Sequence, residues 1–267
     1  MLTGKLNPEE RWAKRIARAQ ELRDQCQPAA EILHFYKKLL VFQSAVATQS
    51  HLVPTPNARL QEQVDPSRAA LHMTPLLSLA RTEGTEVLRR EAMRLQQAGK
   101  EARTQLLRSA LSGSGAQMEV ADWFFALACL QPMMENLQLQ LPATEEPSRR
   151  HCPACGSLPL LAVLRDRARG ASRWLQCSFC LREWLFRRLV CPWCGEESSD
   201  QLLRYSADEY PQARVEACDT CKHYLKAIDL TGDGRAVPLV DEVATGALDL
   251  WAADRAYRKI ARNIVGL

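Results

Sequence analysis

The sequence contains no hydrophobic run long enough to span a membrane. Its longest apolar segment, Trp123–Leu130, has eight residues, whereas a membrane helix needs about 20. The first ten residues have no apolar stretch behind a basic end, and no twin-arginine pair follows Met1. We therefore expect neither a secretory nor a twin-arginine signal, and a cytoplasmic protein without a membrane partner.

The common catalytic motifs are also missing. The patterns GxxxxGK[ST], GxGxxG, HExxH and GxSxG, which accompany phosphate binding, dinucleotide binding, zinc proteolysis and serine hydrolysis, do not occur. None of the five histidines lies in a recognisable catalytic setting. We therefore expect a protein that is not an enzyme and has no catalytic residues.

Cysteine is the residue whose number is unusual, with ten in 267 residues. A chain of this length, with 46% hydrophobic and 25% charged residues, can bury a core without covalent cross-links. Disulfides are rare in a reducing cytoplasm. Patterned cysteines in such a chain indicate metal or redox chemistry.

The pattern of apolar residues divides the chain into a helical part and a strand-rich part. Residues 1–140 are predicted as a helical domain and 141–150 as a linker with two prolines. Asn7 can cap the first helix, with Pro8 at its first position. The later helices are predicted over 28–49, 66–80, 84–98, 100–111 and 118–139, the last with Trp123, Phe124 and Phe125 in the core.

The rest of the chain is predicted as two consecutive units, 151–190 and 191–240, and a helical segment, 241–267. The predicted strands are 158–164, 172–176, 183–189, 201–206, 214–217 and 225–229. The face of the terminal helix is predicted to contain Val243, Ala247, Leu250 and Trp251, continued by Ala253, Tyr257 and Ile260. The expected fold class is therefore α+β, mostly α.

Eight of the cysteines form four C-x-x-C pairs within the two units. The first and third pairs share the pattern C-P-x-C-G, so the arrangement is an internal repeat with one four-thiolate site per unit. Proline and the trailing glycine suit a tight turn that points both thiolates at one ion. The predicted metal ligands are Cys152, Cys155, Cys177 and Cys180 in the first unit, and Cys191, Cys194, Cys218 and Cys221 in the second.

Other interpretations of these residues stay open. Four thiolates suit Zn(II) and a single iron equally well, and free thiols or a redox dithiol are alternatives. His151 and His223 adjoin the pairs but are not needed as ligands, and Cys26 and Cys129 are expected in the helical core. Nine arginines against Asp166 and Glu183 in residues 149–190 raise a nucleic-acid alternative, for which Trp174 and Trp184 are the available stacking residues.

Several further motifs, taken with the cysteine pairs, resemble the family of formate dehydrogenase accessory proteins called FdhE. The resemblance covers about 150–267, whereas the first half is similar only in type and length. The motifs are Cys152-Pro153-x-Cys155-Gly156, Gly170, Arg173-Trp174-Leu175-x-Cys177-Ser178-x-Cys180, Glu183-Trp184, Arg187, Cys191-x-x-Cys194-Gly195, Cys218-x-x-Cys221, Tyr224-Leu225-Lys226, Asp241, Leu248-Asp249-Leu250-Trp251-Ala252 and Asn263-Ile264-Val265-Gly266-Leu267.

The resemblance implies a cytoplasmic maturation factor, an assembly chaperone for the catalytic subunit of respiratory formate dehydrogenase. It implies two rubredoxin-like metal-binding units, with iron favoured over zinc in both. Neither nucleic acid nor a membrane is expected as a partner, and a homodimer is left open. The competing functions are a zinc-ribbon nucleic-acid-binding module and a C-x-x-C thiol oxidoreductase.

Overall fold

The computed structural model describes residues 7–55, 58–113, 117–142, 149–167, 170–232 and 234–267. It confirms the expected fold class: a helical N-terminal region, a sheet region that carries both cysteine groups, and a helical segment near the C-terminus. The boundaries that we predict between units stay predictions, and residues 143–148 of the predicted linker lie outside the described residues. No helix in the described ranges is long and apolar enough to cross a membrane.

The helical region begins with a capping box at Asn7. The Asn7 side chain accepts a hydrogen bond from the Glu10 N–H at 2.8 Å, and the Glu10 carboxylate accepts one from the Asn7 N–H at 3.0 Å. The α-helices of this region are α1 (Pro8–Gln25), α2 (Ala30–Gln49), α3 (Pro66–Ala69), α4 (Met73–Glu83), α5 (Glu86–Gln97), α6 (Gly99–Leu111) and α7 (Val120–Leu139).

The single helix predicted over 66–80 is wrong. The structure has α3, a 3₁₀ turn over Ala70–His72, and then α4. Pro75 lies in the first turn of α4 and has no N–H to donate to the carbonyl of Leu71. A continuous helix would leave that carbonyl without its partner, so the chain tightens into 3₁₀ geometry before Pro75.

Helix α7 is the most buried helix of the region. Phe124 and Phe125 are buried as predicted, and their rings meet edge to face with centroids 5.1 Å apart. Cys129 is also fully buried in α7, as expected for a core cysteine. Trp123 lies at the margin, where its ring stacks on Phe179 of the sheet region. Helix α7 therefore connects the helical core to the sheet.

Both predicted units contribute to one mixed sheet. Its order is β3-β2-β1-β6-β5-β4, with the short β7 pairing with β6. The predicted strands are present with boundaries shifted by up to three residues. The strands are β1 (Pro159–Arg167), β2 (Gly170–Cys177), β3 (Glu183–Phe186), β4 (Leu202–Ser206), β5 (Ala213–Cys218), β6 (His223–Asp229) and β7 (Arg258–Lys259).

The two three-stranded units are joined by a parallel pairing of β1 with β6, in which Leu161 lies opposite Lys226. Within each unit the neighbouring strands are antiparallel. Because β1 and β6 run in the same direction, the start of β1 and the start of β6 lie at the same end of the sheet. Both cysteine groups flank those starts, so both lie at this end.

The predicted helical segment near the C-terminus is present, but it is divided into two helices and ends at Asp254 and not at residue 267. The segment forms α8 (Pro238–Ala244) and α9 (Gly246–Asp254), after which Ala256 has a φ of +61°. The break at Thr245 rotates the second helix, so Leu250 is 60% exposed whereas Leu248 is buried. Tyr257 and Ile260 are buried but lie outside the helices.

Buried ion pairs connect the helical region to the segments around the sheet. Arg18 of α1 donates to both carboxylate oxygens of Asp241 in α8, at 2.7 and 3.1 Å. Lys226 of β6 is fully buried and lies 2.5 Å from Asp249 and 3.2 Å from Glu242. Although burial opposes ionisation, Lys226 and Lys259 hold the pKa of Glu242 at about 2. These pairs fix α8 and α9 against β6.

Candidate metal centres

The four C-x-x-C segments adopt the same turn. The residue after the second cysteine has a left-handed backbone in every case, with φ between +56° and +82° at Gly156, Leu181, Gly195 and Lys222. Glycine adopts this conformation without strain, as predicted for the C-P-x-C-G pairs. At Leu181 and Lys222 the same conformation is held by a residue with a Cβ, which costs about 1 kcal/mol. All four C-x-x-C segments therefore form this turn, although only two of them have glycine after the second cysteine.

Main-chain hydrogen bonds close these turns. The Gly156 N–H donates to the Cys152 carbonyl at 2.9 Å, and the Gly195 N–H donates to the Cys191 carbonyl at 3.0 Å. Turn amides also point at sulfur: the Phe179 N–H lies 3.3 Å from Cys177 Sγ, and the Trp193 N–H of the second unit lies 3.4 Å from Cys191 Sγ. Such N–H···S contacts stabilise thiolates that bind a metal.

The structure brings the eight predicted cysteines together in the two predicted sets. In each set the four Sγ atoms lie within 4.8 Å of one another. A tetrahedron with metal–sulfur bonds of about 2.3 Å has sulfur–sulfur edges of about 3.8 Å. The sulfur pairs are 3.4 and 3.5 Å apart in the first set, and 3.7 and 3.8 Å in the second. Both sets therefore fit a tetrahedral thiophilic ion such as Zn(II) or iron.

The two sets differ in burial. We call them the first group (Cys152, Cys155, Cys177 and Cys180) and the second group (Cys191, Cys194, Cys218 and Cys221). All four cysteines of the first group are buried. In the second group Cys194 is exposed and Cys221 is half-buried. The sequence does not indicate this difference, since the turns are alike.

The helical region covers the first group. The ring of Trp123 in α7 stacks on Phe179, which lies between Cys177 and Cys180, with centroids 5.9 Å apart. Gln131 of α7 donates a hydrogen bond to the Ser178 carbonyl at 3.2 Å, and Gln61 donates to the Cys155 carbonyl. Both turns of the first group are therefore held by residues far away in sequence.

The second group has a stack of side chains beside it instead. Trp193, between Cys191 and Cys194, packs on the imidazole of His223 with ring centroids 4.1 Å apart. The guanidinium of Arg150 lies 4.6 Å from the centre of the Trp193 ring. Arg150 precedes the first group by two residues, so this stack lies between the two groups.

The remaining candidate ligands lie outside the two groups. His151 is exposed, and His223 uses Nδ1 for a 2.8 Å hydrogen bond with the Cys221 carbonyl. Burial raises the pKa of the Cys129 thiol far above its usual range, as suits an unreactive core residue. Cys26 is half-buried and follows the end of α1. These positions agree with the sequence-based expectation that neither cysteine is a ligand.

Four of the nine arginines of residues 149–190 pair with carboxylates or carbonyls of the protein. Arg173 of β2 reaches Glu216 of β5 at 2.8 Å, which joins the two units across the sheet. Arg182 donates to the carbonyls of Gln138 and Pro142. Further ion pairs link Arg165 with Glu183 and Arg187 with Glu197. Part of the local positive charge is therefore paired within the protein, with Arg173 and Arg182 buried, which weakens the nucleic-acid alternative.

The tryptophans available for base stacking are not free either. Trp184 is 1% exposed, and its indole N–H donates to the Arg149 carbonyl at 2.8 Å. Trp174 is half-buried and its indole N–H donates to Ser172 at 3.0 Å. A nucleic-acid-binding surface needs aromatic faces that bases can reach, and these two residues do not provide them.

Together these features define a class: a helical protein whose sheet carries two tetracysteine groups at one end. Two family profiles match this part of the chain, "FdhE, central domain" over residues 151–188 and "FdhE, C-terminal domain" over residues 190–265. Residues 151–265 therefore match both of these FdhE domains in order, as the motifs of the sequence indicate.

Individual relatives agree with this assignment. A "Protein FdhE homolog" from Aquifex aeolicus (strain VF5) is 28% identical over 268 residues, with 94% of each chain covered. One from Pseudomonas putida is 36% identical over 151 residues, covering 53% of this chain and 47% of the relative. The crystal structure of the FdhE protein from Pseudomonas aeruginosa superposes with a TM-score of 0.74 at 26% identity. That match covers 96% of this chain and 95% of the other, so it includes the helical region.

Proposed function

We propose that the protein is a cytoplasmic accessory factor for respiratory formate dehydrogenase, an assembly chaperone that binds the immature catalytic subunit. The observation that carries the proposal is the match to the FdhE crystal structure over nearly the whole chain. This match includes both the helical region and the sheet with its two cysteine groups. The family resemblance supplies the partner. The protein is not itself an enzyme in this proposal.

The arrangement of the cysteines supports a binding role more than a catalytic one. Each group offers four thiolates, a complete tetrahedral set, so an ion held by all four has no open position for a substrate or water. An ion bound in either group would cross-link the two C-x-x-C turns of that group at the end of the sheet. In the second group the two turns, Cys191–Cys194 and Cys218–Cys221, would then form a rigid surface next to Trp193 and Arg150.

The metal is proposed to be iron in both groups, with zinc as the alternative. The eight cysteines would hold either ion, because four thiolates in a tetrahedron suit both. The identity is tested by metal analysis and an optical spectrum of protein purified without oxygen. Ferric thiolate absorbs visible light, whereas a colourless protein with two equivalents of zinc would contradict the choice of iron.

The thiol oxidoreductase alternative has less support in this geometry. A thioredoxin-like pair occurs where a strand leads into a helix. Here each pair lies in a turn beside a strand, and its thiols face those of a second pair at 3.4 to 3.8 Å. The pairs are therefore arranged for an ion and not for exchange with a substrate disulfide.

A capture experiment tests the proposed partner. The full chain, tagged and metal-loaded, is mixed with the catalytic subunit of formate dehydrogenase lacking its cofactor. We expect the wild type and Cys26→Ser to retain the subunit, and the double variant Cys191→Ser/Cys194→Ser to lose it. Retention by a folded double variant would exclude the second group from the interface, and failure of the wild type would refute the proposal.

A further inference from the structure

The two cysteine groups differ in the part of the protein that must move before an ion can leave. In the first group, the exposed fractions of the four cysteines are 4%, 9%, 0% and 0%. Helix α7 packs on the turn that contains Cys177 and Cys180, so this turn is opened only if α7 separates from the sheet. That separation would expose the apolar faces of Trp123 and Phe179 and break the Gln131 hydrogen bond to Ser178.

The second group becomes accessible with a much smaller movement than the separation of α7 from the sheet. Cys194 is exposed, and the segment after it is exposed apart from Glu196. A hydrogen bond of 2.7 Å between Thr220 and Glu196 holds this segment to the turn that contains Cys218 and Cys221. Such a surface contact is broken at small cost compared with the separation of a buried helix.

We propose that the second group is an exchangeable metal site opened at Cys194, and that the first group is a permanent structural site. With an ion bound, an incoming thiolate or chelator would bond to it as the bond from Cys194 Sγ breaks, and the bonds from Cys191, Cys218 and Cys221 would break in later substitutions of the same kind. The freed thiolate takes a proton from water, and no electron is transferred. Access of the attacking ligand governs this type of substitution, and Cys194 is the most exposed cysteine of the two groups.

Trp193 provides an internal reporter of this exchange. It lies between Cys191 and Cys194, and its ring packs against His223 and Arg150. Loss of the ion releases the turn and therefore the stack, so the fluorescence of Trp193 should change together with release from the second group. Trp193→Phe identifies the part of the signal that belongs to this residue.

The proposal is tested on the full chain loaded with two equivalents of zinc, without oxygen, by adding an excess of a coloured chelator. We expect one equivalent to leave at least about tenfold faster than the other, which corresponds to ~1.4 kcal/mol in opening free energy. Cys194→Ser should lose the fast equivalent and keep the slow one. Cys26→Ser, a half-buried cysteine outside both groups, should behave as wild type.

Alkylation with N-ethylmaleimide assigns the phases without any variant. After the fast phase, mass spectrometry should find the label on the four cysteines of the second group and not on the first. Equal release rates, or earlier labelling of the first group, would overturn the proposal. The experiment contains no partner protein, so its outcome is independent of the capture experiment for the proposed function.

Discussion

The first and second cysteine groups have the same turns but different surroundings. In both, the residue after each second cysteine is left-handed, and both lie at one end of the sheet. The cysteines of the first group belong to the same buried cluster as the N-terminal helices, whereas in the described ranges none of the second group does. The turns orient the thiolates of each pair in the same way in both groups, and the packing around each group decides which thiolates solvent reaches.

The largest expected effect comes from removing one ligand from each group. Cys180→Ser leaves three thiolates and a hydroxyl in a site that is continuous with the main core, so we expect it to lower the free energy of unfolding by several kcal/mol, about 3 or more. Cys221 is the equivalent position in the second group. Cys221→Ser should lower the free energy of unfolding by less than half of that amount. Thermal unfolding of the metal-loaded proteins by circular dichroism gives both values, and equal losses would contradict the comparison.

A second prediction removes the cover of the first group. Trp123→Ala deletes the ring that stacks on Phe179, so solvent gains access to the turn of Cys177 and Cys180. We expect zinc release from the first group to accelerate about tenfold, because a partly buried aromatic contact of ~1.4 kcal/mol is lost. Trp251→Ala is the matched control, since Trp251 packs on Tyr205 in another part of the protein. An unchanged release rate would show that α7 does not protect the site.

The smallest effect tests the equivalence of the turns. Gly156→Ala and Gly195→Ala should each cost about 1 kcal/mol of unfolding free energy, because alanine is strained at φ of +74° and +82°. A Cβ at either position meets no atom within 4 Å, so the strain is in the backbone alone. Lys222→Gly should instead stabilise the protein slightly. Denaturant midpoints measure all three, and a large difference between the two glycine variants would mean that the turns are not alike.

The sequence predicted the local features well. The C-x-x-C spacing identified the four cysteine pairs, because each pair lies in one turn, and the repeat of the C-P-x-C-G pattern identified which two pairs form each group. Asn7 and Pro8 marked the first helix for the same reason, since a capping box is a local structure. The resemblance to FdhE over about 150–267 followed from the same motifs, and the profiles that match residues 151–188 and 190–265 confirm it.

Features that depend on distant contacts were harder to predict. The terminal segment had apolar residues at helical spacing through Ile260, but burial against the sheet favours a break at Thr245 and a short strand, Arg258–Lys259. The stack of Arg150, Trp193 and His223 joins residues 43 and 30 positions apart in sequence. Spacing alone does not indicate such contacts.

The sequence by itself determined two sets of four thiolates, the turns that hold them, and a helical half followed by a strand-rich half. Only the tertiary structure decided that both units form one sheet through the parallel pairing of β1 and β6, and that both sets therefore lie at one end. It also decided that α7 covers one set while Cys194 of the other reaches solvent. The reason is physical: a turn is fixed by neighbouring residues, whereas strand pairing and burial depend on surfaces that meet only when the whole chain has folded.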